Sequence, residues 1–168
     1  MGLDIVAFKD VELIKVVKTW EEYEEHQNEE TEQVDWVSFY DVSSKIADPI
    51  VPGGVYKYQD RHRFCAGSYT GYNNWRNNLS IYALGVEAEK VWKNRSNYNN
   101  MPFVELIDFS DCQGVIGTKC CTKLLADFVD HEDKIRNIKD KSDWFMESYD
   151  DWKKAFQYGS QNGYILFC

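Results

Sequence analysis

The sequence FMESYDDWKKAFQYGSQNGYILF, from Phe145 to Phe167, decides the fold. Four large rings in its first part follow one another at steps of four, three and four residues, which is the spacing of one apolar helix face. These rings belong to Phe145, Tyr149, Trp152 and Phe156. Asn162-Gly163 then indicates a turn, and the apolar residues from Tyr164 to Phe167 indicate a closing strand. A helix that turns back into a strand predicts an α+β fold.

The residues before this stretch extend the same pattern towards the middle of the chain. A long helix is predicted to begin near Thr118, because apolar residues recur at helical spacing as far as Ile138. The segment from Phe103 to Phe109 follows Pro102 and has apolar residues on both faces, so we expect a central, buried strand. A loop containing Gly114 and Gly117 should connect this strand to the helix.

The first half of the chain shows shorter elements. Thr19 and Glu22 have the spacing of a capping box, which predicts a surface helix ending at about Gln33. Strands are predicted at Leu3 to Phe8, at Val34 to Val42 with Trp36 and Phe39 as anchors, and at Val55 to Tyr58, followed by a helix from about Asn73 to Leu84. We therefore predict one α+β domain over residues 1–168, with a small mixed or antiparallel sheet, three to five helices and a more peripheral acidic part at residues 1–50.

Composition narrows the class of protein. The chain has 168 residues, of which 43% are hydrophobic and 28% charged, a balance typical of a globular domain. It has no apolar run of 18 residues and no leading basic segment before an apolar one, so we expect neither a membrane partner nor a secretory signal. Five cysteines, two of them adjacent, favour reduced thiols and a cytoplasmic location. The three histidines are far apart and no C-x-x-C occurs, so neither a metal site nor a cofactor is predicted.

Charge is distributed unevenly along the chain. Residues 1–50 carry 13 acidic and 4 basic residues, whereas residues 51–105 carry 4 acidic and 7 basic ones. The net charge of −9 argues against binding of long duplex nucleic acid. The basic middle third is also rich in tyrosine and tryptophan, and rings beside guanidinium groups can bind bases and phosphates. The same rings are equally compatible with an ordinary core.

A first candidate site lies in the segment from Phe64 to Leu79. Its glycines and hydroxyl side chains precede a helix for which Asn73 is a plausible N-cap, and a helix N-terminus favours anions. Arg76 would reach back to a phosphate or carboxylate, and Tyr69 and Tyr72 would flank a ring. The alternative is a capped helix with Trp75 in the core and Arg76 in a salt bridge.

A second candidate site lies in the segment from Asp108 to Gly117. If a buried strand precedes it, the segment lies at the carboxyl end of that strand, where open α/β sheets commonly bind ligands. Asp108 and Asp111 could then hold a metal or position a water molecule, and Gly114 would allow close backbone approach. The alternative is a loop in which Asp111 caps a turn.

Two segments together resemble an uncharacterised family of small bacterial and phage proteins. These are G-S-Y-x-G-Y-N-x-W-R at Gly67 to Arg76 and F-S-D-C-x-G-x-I-G at Phe109 to Gly117. Gln113 and Thr118 stand where family members often have an acidic residue and a proline. The resemblance implies no established activity. Its phage setting suggests a protein that sequesters a nucleotide-like signal of a host defence system, acting in the host cytosol.

The sequence thus favours a non-catalytic binding protein for a small anionic, nucleotide-like ligand, with a homo-oligomer possible. Guanidinium groups would neutralise anionic oxygens, rings would stack, hydroxyl groups would donate hydrogen bonds and Asp111 would accept one. The predicted ligand-binding residues are Arg61, Arg63, Ser68, Tyr69, Thr70, Tyr72, Trp75, Arg76, Asp111 and Gly114. One alternative is a metal-dependent hydrolase that uses Asp108 and Asp111. The other is a protein-interaction module based on the acidic N-terminal part.

Overall fold

A computed structural model describes residues 2–29, 34–38, 41–43 and 45–168. Within these residues the chain forms two antiparallel sheets and six helices, which confirms the α+β fold. The described part of the chain has one helix more than the predicted three to five, because the apolar run after Pro102 forms a helical turn, and it has a second sheet. The strands are β1 (Asp4–Lys9), β2 (Glu12–Val16), β3 (Val34–Trp36), β4 (Gly54–Lys57), β5 (Asp60–Cys65), β6 (Gly114–Gly117) and β7 (Tyr164–Phe167). The helices are α1 (Trp20–Glu29), α2 (Tyr69–Leu84), α3 (Ala88–Lys93), α4 (Val104–Ile107), α5 (Thr118–Arg136) and α6 (Asp143–Gly159).

The larger sheet has the strand order β5-β1-β7-β6. Ile5 of β1 lies between Phe64 of β5 and Phe167 of β7, so β1 is held by hydrogen bonds along both edges. The prediction that residues 1–50 are peripheral is therefore wrong for β1, which lies inside the sheet. It failed because 12 of the 13 acidic residues that suggested a peripheral position come after this strand.

The smaller sheet, β2-β4-β3, continues the hairpin that β1 and β5 begin. The register passes from Lys9 opposite Asp60 to Glu12 opposite Lys57, across a kink at Asp10, whose φ is +51°. Beyond the kink, the ring of Tyr56 contacts the ring of Tyr164 edge-on. The smaller sheet thus packs against one face of the larger sheet.

Helices cover the other face of the larger sheet. Trp152 of α6 is fully buried and lies at the centre of this core. Its indole contacts the rings of Phe64, Tyr72, Trp75, Phe156 and Phe167. The predicted ring face of α6 and the closing strand β7 are both present. No helix of the described residues is sufficiently long and apolar to cross a bilayer.

The capping box at the start of α1 is also present. The Glu22 amide donates to Thr19 Oγ1 at 3.3 Å, and Glu22 Oε2 accepts from the Lys18 amide at 2.7 Å. The strand predicted from Val34 ends at Trp36 as β3, and its second predicted anchor, Phe39, lies outside the described residues.

The segment from Phe103 to Phe109 is not a strand. It contains the single helical turn α4, preceded by Phe103 in the left-handed region at a φ of +61°. The Phe103 amide donates to Asp127 Oδ2 of α5 at 2.8 Å, which fixes the start of the turn. A short run that is apolar on both faces is compatible with a buried strand or a buried helical turn, and the sequence pattern does not distinguish them.

The predicted glycine loop at residues 114–117 is instead the strand β6, and all four of its residues are buried. It pairs with β7 and forms a bridge to Val42. A β-carbon at Gly117 would lie 2.5 Å from Asp48 O, so glycine is required by close backbone approach. The second candidate segment therefore connects a helical turn to an edge strand, and it does not lie at the carboxyl end of a strand as predicted.

A partly buried carboxylate joins the two sheets. Tyr164 of β7 donates its hydroxyl proton to Asp35 Oδ2 of β3 at 2.6 Å. Burial raises the pKa of Asp35 to about 6, although the hydrogen bond from Tyr164 and the charge of Arg61 oppose this shift. The folded protein therefore holds a proton on Asp35 more tightly than the unfolded chain does.

This raised pKa predicts a pH dependence of stability. The contribution of Asp35 is fully present below about pH 4, the pKa range of an unfolded aspartate, and it is lost as the pH rises through about 6. Asp35→Asn should remove this loss. The variant should have a free energy of unfolding about 3 kcal/mol above that of the parent at pH 8 and close to it at pH 4. Urea denaturation at both pH values tests this expectation, and an equal difference at pH 4 and pH 8 would contradict it.

Candidate functional site

An open groove runs between α2 and α3 and has a volume of about 720 Å³. One wall consists of three asparagines of α2. The opposite wall consists of charged residues and one tryptophan, which lie on α3 and immediately before it. The lining residues are Asn73, Asn74, Asn77, Glu87, Glu89, Trp92 and Lys93. The volume falls within the range typical of small-molecule sites.

The turn between α2 and α3 fixes the position of these walls. Helix α2 ends at Gly85, whose φ of +74° lies in the left-handed region that favours glycine. Ser80 donates its hydroxyl proton to the Val86 carbonyl oxygen at 2.8 Å. Asn77 Oδ1 accepts from the Ala88 amide at 2.9 Å and thereby caps α3. The asparagine that lines the groove thus also positions the facing helix.

A buried arginine lies beneath the groove. Only 7% of Arg76 is exposed, and its Nη1 donates to the Phe109 carbonyl oxygen at 2.5 Å. The other terminal nitrogen lies 4.0 Å from Asp111 Oδ2, which also accepts from Asn73 Nδ2 at 2.7 Å. Asn73, Arg76 and Asp111 therefore form one polar network that joins α2 to the segment after α4.

Trp92 lies between this network and solvent. Its indole is 4.8 Å from the Arg76 guanidinium carbon, and its Nε1 donates to the Ile107 carbonyl oxygen at 2.8 Å. These contacts fix the orientation of the ring. Nevertheless 42% of the residue is exposed and it lines the groove, so part of a rigidly held indole is available to a ligand.

Two polar atoms of the network have no partner among the described residues. Asn73 Oδ1 and Arg76 Nε are both buried and make no hydrogen bond there. An unpaired buried polar atom is destabilising, typically by about 1–3 kcal/mol. These two unpaired atoms therefore suggest that the network has a role other than stabilising the fold.

The charges of the groove do not favour an anion. Glu87 and Glu89 both line it, and Lys93 Nζ is 2.7 Å from Glu89 Oε1. The Lys93 ammonium lowers the pKa of Glu89, which keeps that carboxylate ionised. A phosphate entering the groove would therefore meet two carboxylates and a lysine that is already paired.

Two of the predicted ligand-binding rings are in the core. Tyr72 is fully buried and Trp75 is 1% exposed, with their rings packed on Trp152. Trp75 Nε1 donates to the Phe145 carbonyl oxygen at 3.2 Å, and burial raises the pKa of Tyr72. The predictions that Tyr72 stacks on a ligand and that Trp75 contacts one are wrong, because protein already covers both rings. The core alternative holds for Trp75.

The predicted arginines do not converge. Arg61 and Arg63 lie on β5, where Arg63 Nη2 contacts Asp4 Oδ2 at 3.0 Å and the Arg61 guanidinium lies 6.0 Å from the Tyr58 ring centre. Arg76 is elsewhere, under the groove, and its charge is directed at backbone carbonyl oxygens. The structure thus separates Arg76 from Arg61 and Arg63, the other two basic residues that were expected to bind the same anion.

The remaining predicted residues have structural roles or lie apart from the groove. Ser68 is the true N-cap of α2 and accepts from the Gly71 amide at 3.0 Å, so the helix begins at Tyr69 and not at Asn73. Tyr69 and Thr70 are exposed on the first turn of α2. Gly114 has a φ of +139°, and a β-carbon there would lie 2.7 Å from the Phe109 ring.

The carboxylates of the hydrolase alternative are already engaged. Asp108 Oδ2 pairs with Arg95 Nε at 3.1 Å, and Asp111 belongs to the network with Asn73 and Arg76. In the described part of the chain, no three histidine, cysteine, aspartate or glutamate residues are placed to share a metal ion. The geometry therefore gives the hydrolase alternative no support.

Sequence reasoning missed the asparagines as groove residues, although a signal was present. Four asparagines at positions 73, 74, 77 and 78 occur within the 16 residues of α2. Asparagine is a poor helix former, about 0.7 kcal/mol worse than alanine at each position. A helix that retains four of them favours a role for some of these amides beyond helix formation.

Comparison with known proteins adds no further constraint. No protein-family model, no curated protein and no solved structure matches the chain. The resemblance to the family of small bacterial and phage proteins stays a prediction.

The buried network predicts that replacing Arg76 destabilises the protein much more than replacing Arg63 does. Arg76→Met leaves the Phe109 carbonyl oxygen and Asp111 without their cationic partner, and it should lower the free energy of unfolding by about 3 kcal/mol. Arg63→Met removes only an exposed ion pair and should change it by less than about 0.5 kcal/mol. Urea denaturation followed by circular dichroism measures both values, and similar losses would argue against the buried network.

Proposed function

We propose that the protein binds a small nucleotide-like ligand without turning it over, and that the groove between α2 and α3 recognises the nucleoside part. The observation that carries the proposal is an exposed, rigidly held indole facing side-chain amides across a groove of nucleoside size.

The indole supplies the stacking surface. Trp92 is held from below by Arg76 and at its edge by the Ile107 carbonyl oxygen, so little freedom is lost when a ring binds on it. Stacking of a base on an aromatic side chain typically contributes about 1–3 kcal/mol.

The asparagines supply the polar recognition. An amide side chain presents a donor and an acceptor side by side, which matches the edge of a nucleobase. Asn74 is exposed, and Asn77 caps α3 through its oxygen, while its amide nitrogen makes no hydrogen bond to the residues that the structure describes. Each hydrogen bond gained in binding contributes about 1 kcal/mol.

The phosphate part of the ligand was predicted from Arg61 and Arg63, which lie on β5, and from Arg76, which is buried beneath the groove. Glu87 and Glu89 oppose an anion in the groove, so the phosphate contributes nothing to affinity in this proposal. The residues that line the groove favour binding of an uncharged nucleoside. The free thiols of the five cysteines support the predicted cytosolic setting, and sequestration of a defence signal rests on the resemblance alone.

Two alanine variants separate binding from helix stability. Asn74→Ala and Asn78→Ala lie on the same helix, but only Asn74 lines the groove. Each should raise the free energy of unfolding by about 0.5 kcal/mol, because alanine is the better helix former. In calorimetric titrations with the common ribonucleosides, Asn74→Ala should weaken binding about fivefold, whereas Asn78→Ala should bind like the parent. Absence of binding by the parent protein, or equal weakening in both variants, would refute the proposal.

The charges of the groove give a second prediction. A nucleoside should bind at least as tightly as its 5′-monophosphate, and Glu87→Gln should improve binding of the monophosphate more than binding of the nucleoside, by about threefold. Calorimetry of both ligands with both proteins tests this. A monophosphate that binds tenfold more tightly than its nucleoside would favour an anion site instead.

A further inference from the structure

The outer edge of the smaller sheet is unusually apolar. Strand β2 lies at the edge of that sheet, and β4 is its one strand partner in the described residues. Three of its five residues expose large hydrophobic side chains: Leu13, Ile14 and Val16 are 42%, 38% and 52% exposed. The register shifts between Leu13 and Lys15, so Ile14 is an extra residue that adds to this apolar strip.

An edge strand favours a particular kind of partner. Its outer N–H and C=O groups are free to pair with another extended chain, and its alternating side chains can hold those of the incoming strand. Natural proteins usually protect such an edge with charges; in β2 two of the five residues are charged, Glu12 and Lys15, and the other three are apolar and exposed. The edge is thus suited to an added strand.

The acidic residues around this edge favour an incoming strand that is positively charged. Residues 10–29 carry seven acidic residues and two lysines. The exposed carboxylates of Glu21, Glu24 and Glu25 lie on α1, which begins four residues after β2 ends. Tyr23 of α1 stacks on Trp36 of β3, the strand at the opposite edge of the same sheet, so the helix is fixed to this sheet and its link to the β2 edge is the short connection from Val16 to Trp20. Glu12 adds an exposed carboxylate on β2 itself.

We infer that the free edge of β2 binds an extended basic peptide segment of another protein by strand addition. Backbone hydrogen bonds would supply affinity, the strip formed by Leu13, Ile14 and Val16 would hold apolar side chains, and α1 would attract the positive charge. A second copy of this chain would bring two acidic helices together at a net charge of −9 each, which opposes pairing of two such edges.

Fluorescence anisotropy with synthetic hexapeptides tests the inference. The probe is an alternating Lys-Val peptide, and the controls are a Glu-Val peptide and a Lys-Val peptide with N-methyl groups on alternate residues. The Lys-Val probe should bind at least tenfold more tightly than either control, and its binding should weaken in 0.5 M salt. N-methylation removes backbone hydrogen bonds but keeps the charge, so equal binding of the methylated peptide would overturn strand addition.

Matched variants locate the site. Val16→Lys on β2 and Val129→Lys on α5 each add one positive charge at a residue that is about half exposed, 52% and 54% respectively. Val16→Lys should weaken binding of the Lys-Val probe at least fivefold, and Val129→Lys should leave it nearly unchanged. Equal effects of the two variants would overturn the inference. So would a dimer detected by light scattering that Val16→Lys dissociates, because the edge would then belong to a second copy.

Discussion

The buried guanidinium of Arg76 is the interaction on which the proposed site depends. It ties α2 to the segment after α4 through the Phe109 carbonyl oxygen, and it supports the indole of Trp92 from below. A charge in this position is held by hydrogen bonds on one side and by rings on two others, since Tyr72 also lies 5.2 Å from the guanidinium. The turn between α2 and α3 sets the walls of the groove, and Arg76 supports the tryptophan that forms part of one wall.

Arg76 stabilises the fold, although its sequence context suggests that it binds a phosphate. Arginines near glycines and aromatic rings in a sequence suggest phosphate binding. Here, however, the Arg76 guanidinium donates to backbone carbonyl oxygens and is buried. What remains accessible are amides and one aromatic surface, beside two glutamates. Such a surface favours an uncharged, flat and hydrogen-bonding ligand over an anion. The distinction follows from burial, because a buried charge satisfied by the protein offers little to a ligand.

The sequence predicted those parts of the fold in which periodicity is strong. The ring spacing around Trp152 and the capping box at Thr19 both correspond to observed elements. It failed where local patterns are ambiguous, as at Phe103, where a buried helical turn and a buried strand have the same pattern. The prediction of the site residues failed for another reason. Arg76 and Asp111 were identified together, but only tertiary structure brings Trp92 over them and Arg61 away from them.

The most direct test of the account maps ligand contacts on the protein itself. In ¹⁵N-labelled protein, the side-chain amide resonances of Asn73, Asn74 and Asn77 and the indole resonance of Trp92 can be followed during titration with a ribonucleoside. Binding of the nucleoside in the groove should cause saturable shifts of these resonances and leave the amides of Arg61 and Arg63 on β5 unaffected. Shifts confined to β5, or no saturable shift at any asparagine of α2, would contradict it.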